Sequence, residues 1–337
     1  MISILYMAAG RAHITPDGPL AHALRELGEF RIVENGKDLS DAQALEQMQA
    51  ADILITHWAG RKIPVDLARS PGKLRYIVNL GGTCKATIPL EIIRSGIPVT
   101  NWGDTPARPV AEGAMALLLA VLKDLRSRIE HIAAGKKNPN LKRNGLVAGT
   151  LYGTKVGLYG CGVIGNQFVK MLEPFEPELY IFDPYASDIP DHCERIESLD
   201  ALFQTSEIVV VWAGCSKETE ASVNAERLAM LPDHGIILNA ARGEIIDQDA
   251  LFAELESGRL RAGLDVLVRD NYFPNDYNIH AWPNLIVTPH NINVAHWPER
   301  PTQLSYGDKI ALDNIKRFLK NEPLRFIMDE ARYLRSS

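Results

Sequence analysis

The sequence predicts an α/β protein built from two parallel β-sheets, each with helices on both faces. Three observations support this fold class. Short apolar runs alternate with helical patterns over the first hundred residues, a second alternating set begins at Lys155, and a glycine-rich turn joins the first strand and helix of that set. Strands that alternate with helices form parallel sheets, because each connection must cross a face of the sheet. With 337 residues, the chain is long enough for about two domains.

The first hundred residues predict five strands, at residues 2–7, 30–33, 53–56, 74–80 and 98–100, and three helices, at 19–27, 41–48 and 89–94. A longer helix is expected at 109–126, where apolar residues extend around much of the surface. Such a helix needs cover on several sides, from a second subunit or from burial between two domains. The polar stretch 135–149, rich in Lys, Asn and Gly, predicts a loop.

The second alternating set predicts six strands, at residues 155–159, 179–182, 207–212, 235–239, 261–266 and 285–288. Helices are expected between them, including 163–172 and 247–257, and the tail returns to helix around Ile310, Ile315 and Leu319. Six parallel strands fit a doubly wound nucleotide-binding domain.

Composition narrows the class of protein. The net charge is −6 and no basic run overrides it, which argues against a nucleic-acid partner. No apolar stretch reaches the ~18 residues of a membrane span, and the N-terminus lacks the basic region of a signal peptide. The four cysteines are scattered, without the C-x-x-C spacing of a zinc site or a disulfide framework, so we expect no metal and a cytoplasmic protein with reduced thiols.

A glycine fingerprint followed by an acid is the most informative motif. Gly160, Gly162 and Gly165 have the spacing G-x-G-x-x-G between a strand and a helix, and the next strand ends at Asp183. The first two glycines permit a tight turn and close approach to a pyrophosphate, and the helix N-terminus attracts phosphate. Asp183 is placed to bind the ribose hydroxyls. Because a carboxylate repels a 2′-phosphate and no basic residue follows directly, the motif favours NAD over NADP.

Three polar stretches follow later strands of the same predicted sheet. Arg242 comes just after the strand 235–239, Asp265 ends the strand 261–266 with Asp270 five residues on, and His290 follows the last strand. Ligands bind at the carboxyl edge of open α/β sheets. There an Arg can hold a carboxylate through two hydrogen bonds, and a His can relay a proton near neutral pH. Taken alone, Arg242 is also compatible with a surface residue that caps a turn, and a single His such as His290 is more often structural or solvated.

Together these motifs resemble the D-isomer-specific 2-hydroxyacid dehydrogenase family. The matching segments are GLYGCGVIG with IFDPY, ILNAARGEIIDQDALFAELESGRLRAGLDV, NLIVTPHN, and in the first half LRYIVNLGG, GIPVTN and VAEGAMALLLA. The resemblance covers most of residues 50–320. It implies two Rossmann-like or flavodoxin-like domains around a cleft. In that arrangement an NAD-binding domain (102–295) is inserted into a discontinuous substrate-binding domain (1–101 and 296–337).

The resemblance also implies roles for individual residues and a homodimer formed through the region 109–126. Arg242 would orient a 2-oxo acid, His290 would exchange a proton with the substrate oxygen, and Asp270 would be the acidic partner of His290. The implied cofactor-binding set is Gly160, Gly162, Val163, Ile164, Gly165, Asp183, Ala241 and Asp265, and the implied substrate-binding set is Gly81, Gly82, Thr83 and Arg242.

Several positions depart from the family pattern. The acidic partner is normally Glu, one methylene longer than Asp270. The substrate-carboxylate loop lacks a second separated glycine and carries Lys85 where the family has an acid. Lys85 and Arg108 are possible anion contacts or solvated side chains. Five further residues are possible pocket-lining side chains or ordinary packing residues: His57, Trp58, Tyr272, Tyr277 and Trp297.

Two alternatives to a 2-hydroxyacid dehydrogenase remain at this point. An NAD(H)-sensing, corepressor-like binding protein has the same fold and usually keeps the Arg and the His, although the short tail after Leu319 argues against it. A formate or phosphite dehydrogenase relative is disfavoured, because the formate enzymes have Gln where Asp270 stands.

Overall fold

The computed structural model describes residues 1–8, 13–105, 107–136, 147–268, 278–292 and 303–335. The chain forms two compact units, Met1–Pro106 with His296–Ser337 and Ala107–Ala295. Each unit contains one open sheet in which the recorded strand pairs are all parallel. The α/β class with two parallel sheets, predicted from the sequence, is confirmed.

The first unit contains a five-stranded sheet in the order β2-β1-β3-β4-β5. Its first elements are β1 (Ser3–Met7), α1 (Pro19–Arg25), β2 (Glu29–Val33), α2 (Asp41–Gln49), β3 (Ile53–His57), β4 (Tyr76–Leu80), α3 (Leu90–Arg94) and β5 (Val99–Thr100). The chain builds outward in one direction from β1 to β2 and in the other from β3 to β5. The carboxyl ends of these strands therefore flank the kind of reversal point at which open α/β sheets bind ligands.

Alternation along the strands gives this unit two hydrophobic layers. Leu5 and Leu54 pack with α2 on one face, while Tyr6 and Ile55 face α1 on the other. Successive side chains of a strand point to opposite faces, so strands buried on both sides are apolar almost throughout.

The second unit contains a seven-stranded sheet in the order β12-β11-β10-β9-β6-β7-β8. Its elements are α4 (Ala107–Leu122), α5 (Leu125–Ala133), β6 (Lys155–Tyr159), α6 (Val163–Leu172), β7 (Glu178–Phe182), β8 (Glu194–Arg195), α7 (Leu199–Thr205), β9 (Ile208–Val211), α8 (Ala225–Met230), β10 (Ile236–Asn239), α9 (Gln248–Glu256), β11 (Arg261–Leu264) and β12 (Leu285–Val287). The six strands expected are present. The seventh, β8, has two residues, too few to show a pattern. Strand order reverses between β6 and β9.

The long apolar helix expected at 109–126 is two helices in the structure. Asp124 adopts a left-handed conformation (φ 51°) and separates α4 from α5. The apolar face of α4, including Leu118 and Val121, packs against Phe168 and Leu238 in the core of the same unit. The core of this unit therefore covers that face of α4.

The chain ends in two helices that belong to the first unit, α10 (Tyr306–Leu319) and α11 (Glu330–Arg335). A capping box between Ser305 and Asp308 begins α10, and its apolar face, including Leu312 and Ile315, covers the sheet on the α1 side. In the described parts of the chain, no helix has both the length and the apolar character needed to cross a bilayer.

Candidate functional site

The glycine turn lies between β6 and α6, at the reversal of strand order in the second unit. Gly160 has φ 95°, and a Cβ there would lie 2.7 Å from the backbone nitrogen of Ala213, so only glycine fits. A Cβ on Gly162 would meet nothing within 4 Å. The space above the turn is therefore open, and no side chain caps the N-terminus of α6. A helix N-terminus of this kind can bind phosphate.

The residues that begin α6 differ in exposure. Val163 is 54% exposed at the first helical position, whereas Ile164 packs partly against the core. Gly165 lies close to the turn, because a Cβ there would be 3.0 Å from the carbonyl oxygen of Gly160. Helix and strand approach each other closely at this point, as the third glycine of the fingerprint predicts.

Asp183 follows β7 and connects two loops through backbone hydrogen bonds. Its Oδ2 accepts from the N–H of Cys161 at 2.7 Å, and its Oδ1 accepts from the N–H groups of Tyr185 and Ala186 at 2.8 and 3.1 Å. The carboxylate thus holds the glycine turn against the turn after β7. The sequence predicted a ribose-binding acid here, but it gave no indication of this second role.

The thiol of Cys161, in the middle of the glycine turn, is not reactive in this setting. Burial, and then the negative charge of Asp183, raise its pKa to about 11, with Arg195 acting in the opposite direction. The residue remains a neutral thiol near pH 7 and acts as a small side chain.

Arg242 is positioned by a buried amide and an obligatory glycine. The Asn239 side chain donates to the Arg242 carbonyl at 2.9 Å and accepts from the N–H of Ala241 at 3.0 Å. A Cβ on Gly243 would lie 2.1 Å from the carbonyl carbon of Leu267. The turn that carries Arg242 is therefore fixed at the carboxyl end of β10, against the segment that follows β11.

Asp265 and His290 are joined by hydrogen bonds at the ends of β11 and β12. The N–H of His290 donates to the Asp265 carbonyl at 2.9 Å, and His290 adopts a left-handed conformation with φ 51°. The buried Asp265 carboxylate accepts from the Thr288 hydroxyl at 2.6 Å and from the Asn291 N–H at 3.2 Å. Asp265 thereby stabilises a strained turn that leaves His290 exposed.

One hydrogen-bonded series connects these three stretches. The N–H of Asp265 donates to the carbonyl of Asn239 at 2.9 Å, and the carbonyl of Asp265 accepts from His290. β10, β11 and β12 are neighbours in the sheet. The structure therefore brings the Arg242, Asp265 and His290 segments together at the sheet edge where the glycine turn also lies.

The first unit has a loop with two N–H groups, unpaired in the described part of the chain, at the carboxyl end of β4. The Asn79 amide donates to the carbonyl of Thr83 at 2.8 Å, and the Asn101 amide donates to the carbonyl of Gly82 at 2.5 Å. The N–H groups of Gly82 and Thr83 find no acceptor among the described residues. A loop whose carbonyls are bound by side-chain amides and whose N–H groups are unpaired can bind an anion through those N–H groups.

Asn101 is itself oriented from the end of the chain. Its Oδ1 accepts from the Arg332 guanidinium at 3.0 Å and from the Gly103 N–H at 3.0 Å, so its amide nitrogen must point to Gly82. Sequence reasoning identified the loop but missed both asparagines. The one feature of the sequence that could have indicated Asn79 and Asn101 is that each follows an apolar run, as Asn239 also does.

For the other candidate residues, the structure gives a hydrogen-bond partner or the exposure of the side chain, or the residue lies outside the described ranges. Lys85 Nζ donates to the carbonyl of Leu334 at 3.2 Å, and Arg108 pairs with Glu112 one helical turn away at 3.1 Å. His57 is buried, whereas Trp58 is 63% exposed. Four predicted residues lie outside the described ranges: Asp270, Tyr272, Tyr277 and Trp297.

A doubly wound sheet with a glycine turn, an acid after its second strand and an Arg–Asp–His edge defines a nucleotide-binding α/β oxidoreductase. The match to protein-family models gives the particular family. Residues 115–291, more than half of the chain, match the NAD-binding domain of the D-isomer specific 2-hydroxyacid dehydrogenases. The chain belongs to this family of oxidoreductases, which act on the CH–OH group of 2-hydroxy acids, and its second unit binds a nicotinamide cofactor.

Individual relatives agree with this assignment. The chain is 29% identical to D-3-phosphoglycerate dehydrogenase of Methanocaldococcus jannaschii over 305 residues, which are 89% of this chain but only 56% of that protein. It is 26% identical to a glyoxylate reductase of Pyrococcus furiosus over 280 residues, covering 79% of this chain and 80% of the relative. The chain thus spans little more than half the length of the first relative and most of the second.

A solved structure shows the same fold. It is an NADPH-dependent glyoxylate/hydroxypyruvate reductase from Sinorhizobium meliloti in complex with NADP and malonate. The TM-score is 0.74 at 23% identity, and the match covers 100% of this chain and 98% of the other. At this identity the likeness concerns the fold alone.

Proposed function

We propose that this protein is an NAD-dependent D-2-hydroxyacid dehydrogenase that reversibly reduces a small 2-oxo acid. The observation that carries the proposal is the hydrogen-bonded series from Asn239 through Asp265 to His290. This series supports the proposal because it holds the backbone segments that carry Arg242 and His290 at the edge of the sheet that also carries the glycine turn. The relatives named above are enzymes, so they give no support to the sensing alternative.

Cofactor binding follows from the open glycine turn. We propose that the N–H groups at the start of α6, with Gly160, Gly162, Val163, Ile164 and Gly165, hold the pyrophosphate, and that Asp183 accepts from the ribose. Ala241 and Asp265 line the nicotinamide end. When bound, the reduced nicotinamide supplies the hydride. The protein provides orientation and electrostatics.

The chemical step requires a bound anion and a proton donor. In the second unit, Arg242 would hold a carboxylate and a carbonyl oxygen through paired hydrogen bonds. In the first unit, the N–H groups of Gly82 and Thr83 would bind a carboxylate. His290, protonated and paired with Asp270, would donate its proton to the carbonyl oxygen as the carbon accepts the hydride. In the oxidative direction the neutral imidazole takes that proton back.

A substrate screen tests this function. Purified protein with NADH is offered a panel of 2-oxo acids that runs from glyoxylate and hydroxypyruvate to branched and aromatic acids, and NADH absorbance is followed. We expect NADH oxidation with at least one small acid, and formation of the D isomer wherever the product is chiral. If NADH binds but no acid is reduced, the proposal is wrong.

We also propose a cytoplasmic homodimer. Leu125, Ile129 and Ile132 form a stripe on α5 and are 46%, 60% and 60% exposed, an unusual amount of apolar surface for one short helix. The four cysteines are free thiols, as in a reducing compartment. Light scattering of the native protein and of Ile129→Glu tests the dimer, which the charge should dissociate. A native monomer would contradict it.

A further inference from the structure

Arg195 reaches the cofactor-recognition turn from a neighbouring strand. In the parallel pair of β7 and β8, Arg195 lies opposite Ile181, two residues before Asp183. Its guanidinium donates from Nη1 to the carbonyl of Asp183 at 3.2 Å and from Nη2 to the carbonyl of Ala186 at 3.0 Å. A cation therefore lies beside the acid from which NAD preference was predicted, although it is 12 positions away in sequence.

The carboxylate of Asp183 is largely engaged by the protein itself. It accepts three backbone hydrogen bonds, from Cys161, Tyr185 and Ala186. A carboxylate has about four lone-pair sites, so about one is left for a ribose hydroxyl. Three N–H dipoles also offset its negative charge, which weakens its repulsion of a phosphate on the adjacent ribose oxygen.

Arg195 has donors to spare. A guanidinium carries about five N–H groups, and the two backbone carbonyls use two of them. The residue is exposed, and its planar group suits a phosphate, to which it can donate two parallel hydrogen bonds. Glu218 also lies near this turn, because its carboxylate accepts from the Tyr185 hydroxyl at 2.9 Å.

We propose that Arg195 binds the 2′-phosphate of NADP and gives this domain usable affinity for the 2′-phosphorylated cofactor alongside NAD. The inference rests on the proposed function only in that Asp183 marks the adenosine ribose. Arg195 is then a specificity-determining residue, and Asp183 and Arg195 act in opposite directions: the acid favours NAD, and the guanidinium favours NADP.

Binding of nucleotide fragments tests the inference without turnover. Calorimetry compares 5′-AMP with adenosine 2′,5′-bisphosphate on the native protein and on Arg195→Gln, which keeps a hydrogen-bond donor and loses the charge. We expect Arg195→Gln to lower the affinity for the bisphosphate about tenfold or more, because loss of one charged hydrogen bond typically has an effect of this size. Binding of 5′-AMP should change less than about threefold, and the native affinity for the bisphosphate should fall more steeply with salt.

Two further variants separate recognition from support of the turn. Arg195→Lys should restore part of the bisphosphate affinity. Arg227→Gln removes a comparable guanidinium, held by Asp200 and by the Ser222 carbonyl, and should affect neither ligand. Equal weakening of both nucleotides by Arg195→Gln would show that Arg195 only supports the turn, and unchanged binding of both would show that it does not contact the phosphate. Either result overturns the inference, whether or not a 2-oxo acid is reduced.

Discussion

The backbone N–H of His290 donates to the carbonyl of Asp265 across 2.9 Å, and this bond holds the histidine in a left-handed conformation. Few residues other than glycine adopt that conformation, because the Cβ crowds the following carbonyl. The free-energy cost of this conformation is offset by the buried Asp265 carboxylate, which accepts hydrogen bonds from three further donors in the same turn. Strain kept in place by surrounding contacts is typical of functional sites.

Replacing His290 by Asn tests its proposed role in proton transfer. Asn tolerates the left-handed backbone, so the turn should persist while the titrating group is lost. We expect kcat to fall by about 10²–10⁴-fold, with a flattened pH profile and unchanged NADH affinity. His234→Asn is a matched control, because His234 is also exposed and left-handed (φ 66°) in the same unit. An equal effect of the two variants would refute the assignment of His290.

Replacing Arg242 by Lys keeps the charge and removes the planar fork. If Arg242 holds a carboxylate through two hydrogen bonds, kcat/KM should fall at least tenfold while the dissociation constant of NADH changes less than about twofold. Steady-state kinetics and NADH fluorescence measure the two quantities. Normal kcat/KM in the variant would show that another group binds the acid.

Replacing Asn101 should weaken the binding of the substrate without changing the binding of the cofactor. Replacing it by Ala leaves the exposed Gly82 carbonyl without its protein donor and releases the loop, at a cost of about 0.5–1.5 kcal/mol. We expect KM for the acid to rise about tenfold and NADH affinity to stay constant. Asn101→Asp keeps the acceptor for Arg332 but not the donor to Gly82, so it should behave like the Ala variant. Native-like KM in Asn101→Asp would show that the Gly82 contact is dispensable.

His57 is expected to make the free energy of unfolding depend on pH in the acid range. Burial, with a contribution from the charge of His13, lowers the pKa of His57 to about 4, so its folded pKa lies below the unfolded value near 6.5. Between these values the unfolded chain binds more protons, and stability falls as pH falls. The loss should reach about 2 kcal/mol at pH 5 relative to pH 7, and about 3 kcal/mol at pH 4. Urea denaturation of the native protein and of His57→Gln measures it. Equal acid sensitivity in both would contradict this assignment.

Most of the sheet architecture was predictable because apolar strands and helical periodicity are local signals. The glycine turn and the stretches around Arg242 and His290 were recognisable for the same reason. Two features were not: Arg195 lies on a two-residue strand, and its nearness to Asp183 depends on register. The break after α4 depends on one left-handed residue, Asp124, in an otherwise continuous helical pattern.

The buried amides show a different limit. Three amides each hold a loop in place by binding its backbone: those of Asn79, Asn101 and Asn239. The carbonyls to which their side-chain NH₂ groups donate lie 2 to 19 positions away in sequence. Nothing in composition or periodicity distinguishes such an Asn from an ordinary turn residue. Only the fold shows which carbonyls each amide reaches.

The contact between Arg332 and Asn101 has a practical consequence for handling the protein. A segment near the C-terminus sets the direction of an amide that shapes a loop about 250 positions earlier. Deletion of the segment that carries Arg332, or substitutions within it, is therefore expected to alter the apparent affinity for organic acids even when the remainder folds normally.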